Sequence, residues 1–527
     1  MITLARAGFW LRRHAPWLAL VAITLAAALV PFIATRVPLG YLYLDTDVPL
    51  HAAGIQRILC GDCFVRDVNF IGDLRPSSER FFFYPLMTWI VRLFSIDVAT
   101  MSWIMGTLIT LMATLGLYWL LVRLTRRPWM SALFSTLGIM GVQLFAGVWY
   151  GGMAGGFNTH SLAISFASIL FAAFVCVILD ERLRPRLLWL FIISALAMNG
   201  YPLVFPALLL LMACYVWRYR LMSLRRVVGL LAVCAFLFPI PVWDYWQIMK
   251  RSQGQVPFDI RKIMPYLVYS EPTYFLATAR RFVALALASF GWGMWLCRKR
   301  AAEKQTVSSD GPETVIRRLV GWSGAWTVFF IAIEQLSGTI ARFQTSGAMS
   351  QFFFASLLGW VLVRITAARA RMSRPWFVAG VGVTFLFLVA FSSNIVYTTR
   401  IMNDWIRGAS ALRDRVDVLK NIGSLEPKGA LFLTPIGRFA TEVRGFAGRG
   451  VVLAEKDRGA ALLDPARQEA LFALIKRLND PNVFKRPLEA EAIAREQKAD
   501  YLMIGSTDGL SATPAYRNAS WAVVPIK

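Results

Sequence analysis

The sequence predicts an α-helical polytopic membrane protein with about eleven transmembrane helices, followed by a small extracytoplasmic α/β unit. Three observations predict it. Of 527 residues, 57% are hydrophobic, and mean hydropathy is +0.54, both high for a soluble chain. The apolar residues gather into long runs, and about 20 such residues are needed to cross a bilayer core of about 30 Å. Basic clusters punctuate the runs: Arg123/Arg126/Arg127, Arg218/Arg220/Arg225/Arg226, Arg298/Lys299/Arg300 and Arg369/Arg371/Arg374. The formal charge of +25 therefore follows the positive-inside rule, and no nucleic-acid partner is expected.

Arg6, Arg12 and Arg13 precede the first apolar run. The run is too long for a signal peptide and no small-x-small cleavage site follows it, so it reads as an uncleaved first span. Spans are expected at about 16–34, 101–122, 129–149, 160–179, 187–199, 203–217, 227–242, 281–297, 318–334, 350–366 and 376–393. With the N-terminus inside, every second span ends in a basic loop. The first outside loop, 35–100, by contrast holds six Lys/Arg against seven Asp/Glu. A bacterial inner membrane is expected, with the N-terminus cytoplasmic. Residues 1–393 then form the transmembrane domain and 394–527 a soluble periplasmic α/β domain.

Within the first loop, Phe81–Leu86 leads into Met87–Phe94, apolar but too short to span, which predicts an interfacial helix. The stretch 243–280 is a second outside loop, with Lys250, Arg251, Arg261 and Lys262 as a basic group. In the tail, β-like runs at Ala430–Leu433, Val451–Ala454 and Tyr501–Ile504 alternate with helical patterns at Pro465–Leu478 and Leu488–Gln497. Strands alternating with helices predict a small α/β unit.

Asp45-Thr46-Asp47 follows the first span by about ten residues, near the outer membrane surface. Two carboxylates at i and i+2 can share a divalent ion such as Mg or Mn, or divide the roles of base and ligand. If Val48–Leu59 is helical, His51 lies one turn beyond Asp47 on the same face; the plainer alternative is that Thr46 or Asp47 simply caps that helix. His160 opens a span after the glycine-rich turn Gly151–Gly156, on the same side. Glu334 ends the ninth span and Arg342 follows in a short outside loop. Positive charge is scarce on that side, and the guanidinium fork matches phosphate oxygens; interfacial snorkelling is the simpler alternative. Cys60 and Cys63 form a C-x-x-C with no second pair to complete a zinc site, so outside the cell a local disulfide is expected.

This layout resembles the GT-C superfamily of polytopic membrane glycosyltransferases. The matching pieces are Asp45-Thr46-Asp47, the helical segment Val48–Leu59, the interfacial stretch at Tyr84-Pro85 and the tail 394–527. The resemblance implies a polyprenyl-phosphate-linked sugar donor and transfer to a glycan, lipid or protein acceptor of the cell envelope on the outer face. It implies that Asp45 or Asp47 is the base, and that Arg342 is the first choice for the donor phosphate. His51, Tyr84, His160 and Glu334 join the substrate-binding set. Metal dependence varies within the superfamily, so Asp45 and Asp47 remain candidate metal ligands. Two other classes compete: a transporter or flippase of a lipid-linked glycan, and a non-catalytic envelope-assembly protein. A transporter places several charged residues in mid-span, and few stand there in this chain.

Overall fold

Membrane-length helices alternate with short amphipathic ones in the computed structural model, which describes residues 2–43, 47–64, 66–67, 83–139, 159–199, 204–237, 311–337, 340–369, 373–390, 393–435, 437–454, 465–480, 482–505, 510 and 512–526. The first part of the chain contains α1 (Ile2–Thr35), α2 (Val48–Leu59), α3 (Tyr84–Phe94), α4 (Val98–Thr125), α5 (Pro128–Ile139) and α6 (Thr159–Leu179). It continues with α7 (Leu187–Met198), α8 (Phe205–Arg218), α9 (Leu224–Phe236), α10 (Pro312–Ser337), α11 (Ile340–Ala368) and α12 (Arg374–Ala390). Over the described residues, His14–Thr35, Val98–Thr125 and Ser161–Leu179 are long and apolar enough to cross a bilayer core. The 12 to 14 residues of α7, α8 and α9 rise only about 18–21 Å, too little to cross it alone. The span expected at 281–297 and the loop 243–280 lie outside the described residues.

One apolar core joins α4 to α12. Phe171 stacks on Phe352 at 5.1 Å, and Phe134 meets Phe385 edge-on at 5.7 Å. Buried hydroxyls return their protons to the carbonyl one turn back: Thr110 to Gly106 at 3.0 Å, Ser168 to Ile164 at 2.8 Å, Thr327 to Ser323 at 2.7 Å. That satisfies them where no water can. Asp97 caps α4, accepting from the Thr100 amide at 2.6 Å, and Arg126 ends the helix in a left-handed turn (φ 54°).

Three contacts orient the bundle. Arg123 meets Asp180 at 3.4 Å, so α4 and α6 finish at the same end. Glu313 meets Arg364 at 2.8 Å, so α10 starts where α11 finishes. Gly359 of α11 lies against Leu124, near the finish of α4. The starts of α4, α6 and α11 and the finish of α10 therefore share the opposite end, where the first loop enters α4. There α3 turns Tyr84, Met87, Thr88 and Val91 inward and leaves Leu86, Trp89, Leu93 and Phe94 exposed. An exposed apolar face at that position suits a helix lying on lipid.

The rest of the chain contains α13 (Ser393–Arg407), α14 (Ala409–Gly423), β1 (Leu431–Leu433), α15 (Arg438–Gly445), β2 (Gly450–Val451), α16 (Pro465–Leu478), α17 (Pro487–Glu496), β3 (Tyr501–Ile504), β4 (Tyr516–Arg517) and β5 (Ala522–Pro525). The strands form one mixed sheet, ordered β2-β1-β3-β5-β4. β2, β1 and β3 run parallel, with Phe432 beside Val451 and Tyr501. β5 is antiparallel to both β3 and β4. Alternation across the pleat assigns the two faces. Leu431, Leu433, Leu502 and Ile504 pack against α16 and α17. Phe432, Val451, Met503 and Val523 pack on the other side, against α14 and α15. The core on that side also takes Val37, Tyr41 and Leu42, which follow α1, and Ala99 of α4. Packing therefore crosses the point in the sequence where the tail begins.

Candidate active site

The acidic motif is approached from both flanks by described structure. Asp45 and Thr46 themselves lie outside the described residues. Asp47 stands at the N-cap of α2 with Pro49 in the first turn, where a fixed φ suits helix entry. Its side chain makes no capping bond to the helix, while its carbonyl accepts from the His51 amide at 2.9 Å. A carboxylate at a helix N-terminus is favoured by the helix dipole.

α2 is held from three sides. His51, 2% exposed, has its Nδ1 3.2 Å from the hydroxyl of Tyr84, also 2% exposed. The Tyr84 ring covers Gly54 so closely that a Cβ there would sit 2.4 Å from the ring. Gly445 at the end of α15 meets the carbonyl of Pro49, where a Cβ would sit 2.2 Å away. Both glycines are thus required by close approach of backbone or ring. The Cys60–Cys63 disulfide closes the turn after α2. Beyond it Asp67 accepts two bonds from Arg444 of α15, at 2.6 and 2.7 Å, and one from the Val451 amide at 3.0 Å. Both side chains of that ion pair are fully buried. Arg66 adds bonds to Asp500 and to the Lys498 carbonyl.

The other flank is held as firmly. Arg413 of α14 donates to the carbonyl of Thr35, the last residue of α1, at 2.9 Å. Tyr41 and Tyr43 pack on Phe446, with ring centroids 5.2 and 5.6 Å away. Tyr43 donates its hydroxyl to one oxygen of Glu442 in α15, and Arg415 Nε lies 3.2 Å from the other. Burial, helped by Asp97 and Glu442, raises the Tyr41 phenol above its ordinary value and keeps it protonated. The tail therefore fixes the chain at Tyr43 and again at α2, on either side of the acidic residues.

His160 is the second residue of α6, Glu334 lies in the last turn of α10, and Arg342 is the third residue of α11. The helix directions put all three backbones at the end of the bundle that carries the first loop. Leu162, one turn into α6, packs on the cluster formed by α2, α3 and α4. The positions of the side chains of His160, Glu334 and Arg342 lie outside the description, as do the turn 151–156 and the basic group at 250–262. Among the described residues, which do not include Asp45, no three His, Cys, Asp or Glu gather as metal ligands.

Tyr43, Asp67, Arg415, Glu442 and Arg444 carry this geometry, and sequence reading did not single them out. Their partners stand 377 and 399 residues apart, so no local spacing marks them.

Compared with solved structures, the chain is similar over its full length to ArnT from Cupriavidus metallidurans in the apo state. The TM-score is 0.51 and the identity 14%, with 99% of this chain and 98% of that one covered. The Archaeoglobus fulgidus oligosaccharyltransferase in complex with Zn and sulfate gives a TM-score of 0.42 at 12% identity, covering 92% of this chain and 68% of that one. The same organism's oligosaccharyltransferase AglB, in complex with an inhibitory peptide and a dolichol-phosphate, gives 0.40 at 11%, covering 94% and 70%. No family model and no curated protein matches the chain. The likeness to ArnT is one of fold.

Proposed function

We propose that this chain is a glycosyltransferase that moves a sugar from a polyprenyl-phosphate donor to an acceptor of the cell envelope, on the outer face of a bacterial inner membrane. The observation that carries this reading is the two-sided grip of the tail on the acidic first loop, within a fold shared over the full length with ArnT. In this reading the chain crosses the membrane about eleven times with the N-terminus inside, and the described parts of α7, α8 and α9 cover only part of their crossings. Residues 394–527 form an outer domain that builds the active-site loop.

The chemistry follows from the headgroup depth of the site. The acceptor hydroxyl gives its proton to the carboxylate of Asp45 or Asp47 as its oxygen bonds to the anomeric carbon. The bond from that carbon to the donor phosphate breaks, and the polyprenyl phosphate leaves with the electron pair. Arg342, at the start of α11, stabilises the charge gathering on that phosphate. His160 and Glu334, whose helix ends share that end of the bundle, join the substrate-binding set in this reading. His51 and Tyr84, buried on each other, act by holding α2 rather than by touching substrate.

The test is Asp45→Ala and Asp47→Ala, each returned to a strain lacking the gene, with envelope lipids and glycans read by mass spectrometry and protein level by immunoblot. Loss of the base lowers product by about 10²–10⁴-fold in at least one variant. If both variants restore full product at normal expression, the assignment fails.

A further inference from the structure

At the opposite end of the bundle from the acidic loop, a cavity of about 530 Å³ opens between the finish of α8 and the first turns of α10. Tyr219, Arg317, Arg318, Gly321, Trp322 and Ala325 line it. The depression is shallow and open rather than enclosed. Two adjacent arginines and no acidic residue stand among these six. The nearby carboxylate of Glu313 is engaged with Arg364 at 2.8 Å.

The arginines are not splayed at random into solvent. The Arg318 guanidinium lies 4.3 Å from the centroid of the Tyr219 ring, and Arg218 approaches the same ring at 5.9 Å. Stacking holds a guanidinium by its face, while phosphate recognition uses its edge. Above the cavity α10 leaves one strip exposed: Gly321, Ala325, Val328 and Phe329, spaced along a single helix face. A Cβ on Gly321 would meet nothing within 4 Å. The strip is therefore small beside the arginines and apolar further along, running from headgroup level into the membrane.

We infer that this cavity binds the phosphate headgroup of an anionic glycerophospholipid, with one acyl chain lying along the Gly321–Phe329 strip. Basic pockets between membrane helices on the cytoplasmic side take such headgroups, and each nearby Lys or Arg adds about a fivefold preference. A free phosphate shares the charge but has no use for the apolar strip. The site does not depend on the transferase reading, since it lies at the other end of the molecule.

The full-length protein, purified in detergent, is titrated with phosphatidylglycerol or phosphatidylcholine in mixed micelles, and retained lipid is counted by native mass spectrometry. The expected result is one phosphatidylglycerol held about 25-fold more tightly than phosphatidylcholine. Arg317→Gln with Arg318→Gln should lose that preference, a fall of about 25-fold. Gly321→Trp keeps both charges and puts bulk beside the arginines, and it should weaken the bound lipid too; it decides the matter if the double variant fails to fold. Equal retention by wild type and a folded variant overturns the inference. So does complete displacement by millimolar inorganic phosphate, which would make a free anion the ligand.

Discussion

In the helix bundle, α4, α6 and α11 meet through Gly116 against Ile169, Gly359 against Leu124, and Phe171 stacked on Phe352. Where the first loop meets the tail, the contacts are instead Asp67 with Arg444, Tyr43 with Glu442, and Arg415 with Glu442. Many of the bundle's buried hydroxyls bond within their own helix, and its inner contacts are mostly apolar. The seam does the reverse and buries charge between segments distant in sequence. Apolar faces tolerate small slips with graded loss. A buried ion pair tolerates none, because removing one partner strands the other in a medium of low polarity. The difference teaches that the membrane part supplies a platform, whereas the seam supplies register for the loop that carries Asp45 and Asp47.

The harshest way to break that contrast is at Asp67. Asp67→Ala leaves Arg444 fully buried without its carboxylate and should cost about 3–5 kcal/mol. Thermal unfolding of the purified full chain should show a clear fall in Tm. The paired change Asp67→Leu with Arg444→Met removes both charges and should recover most of that loss, since apolar replacements of buried pairs are often neutral or better. Arg66→Ala, which removes the exposed bond to Asp500, should stay within about 1 kcal/mol of wild type. If Asp67→Ala unfolds no earlier than Arg66→Ala, the seam is not held by its buried pair.

The same contrast decides what could be read from the sequence. Hydropathy runs located the three membrane-length helices among the described residues, because such a helix declares itself within about 20 residues. The tail was legible where strands and helices alternate: Pro465–Leu478 is helical over its whole expected length, and Tyr501–Ile504 is a strand. The short strands Tyr516–Arg517 and Ala522–Pro525 were missed, as two- to four-residue edges carry little periodicity. The acidic loop was legible as a motif. The partners that hold it were not, because Tyr43 and Glu442 look like any tyrosine and glutamate until the tail folds back onto the loop.

A gentler change sharpens the comparison by separating register from stability. Tyr43→Phe removes one hydrogen bond to a buried carboxylate, and Glu442→Gln removes the charge that faces Arg415. Each should cost about 1.5–3 kcal/mol, less than the loss at Asp67. Their effect on product should be out of proportion, up to about a hundredfold, because a shift of about 1 Å in a reacting group is enough for that. Envelope product measured at matched protein level checks it. A variant that keeps full product while losing the stability would reduce Glu442 to a structural role.

The smallest effect should come from the edge of the sheet, at Tyr516 of β4, which donates its hydroxyl to Asp417 of α14. Burial, together with that bond and the charges of Asp417 and Asp414, pushes its pKa up to about 12 from an ordinary 10.0. A tyrosine with a raised folded-state pKa holds its proton more tightly in the folded chain. Its contribution is whole below pH 10 and is lost as pH climbs through about 12. Comparing Tyr516→Phe with wild type across that window isolates the group from other alkaline titrations. The variant should lose less stability between pH 10 and 12, while product at neutral pH stays unchanged. A change in product at neutral pH would show that the loop senses the whole tail, and the seam would then no longer be the sole route by which the tail sets the acidic residues.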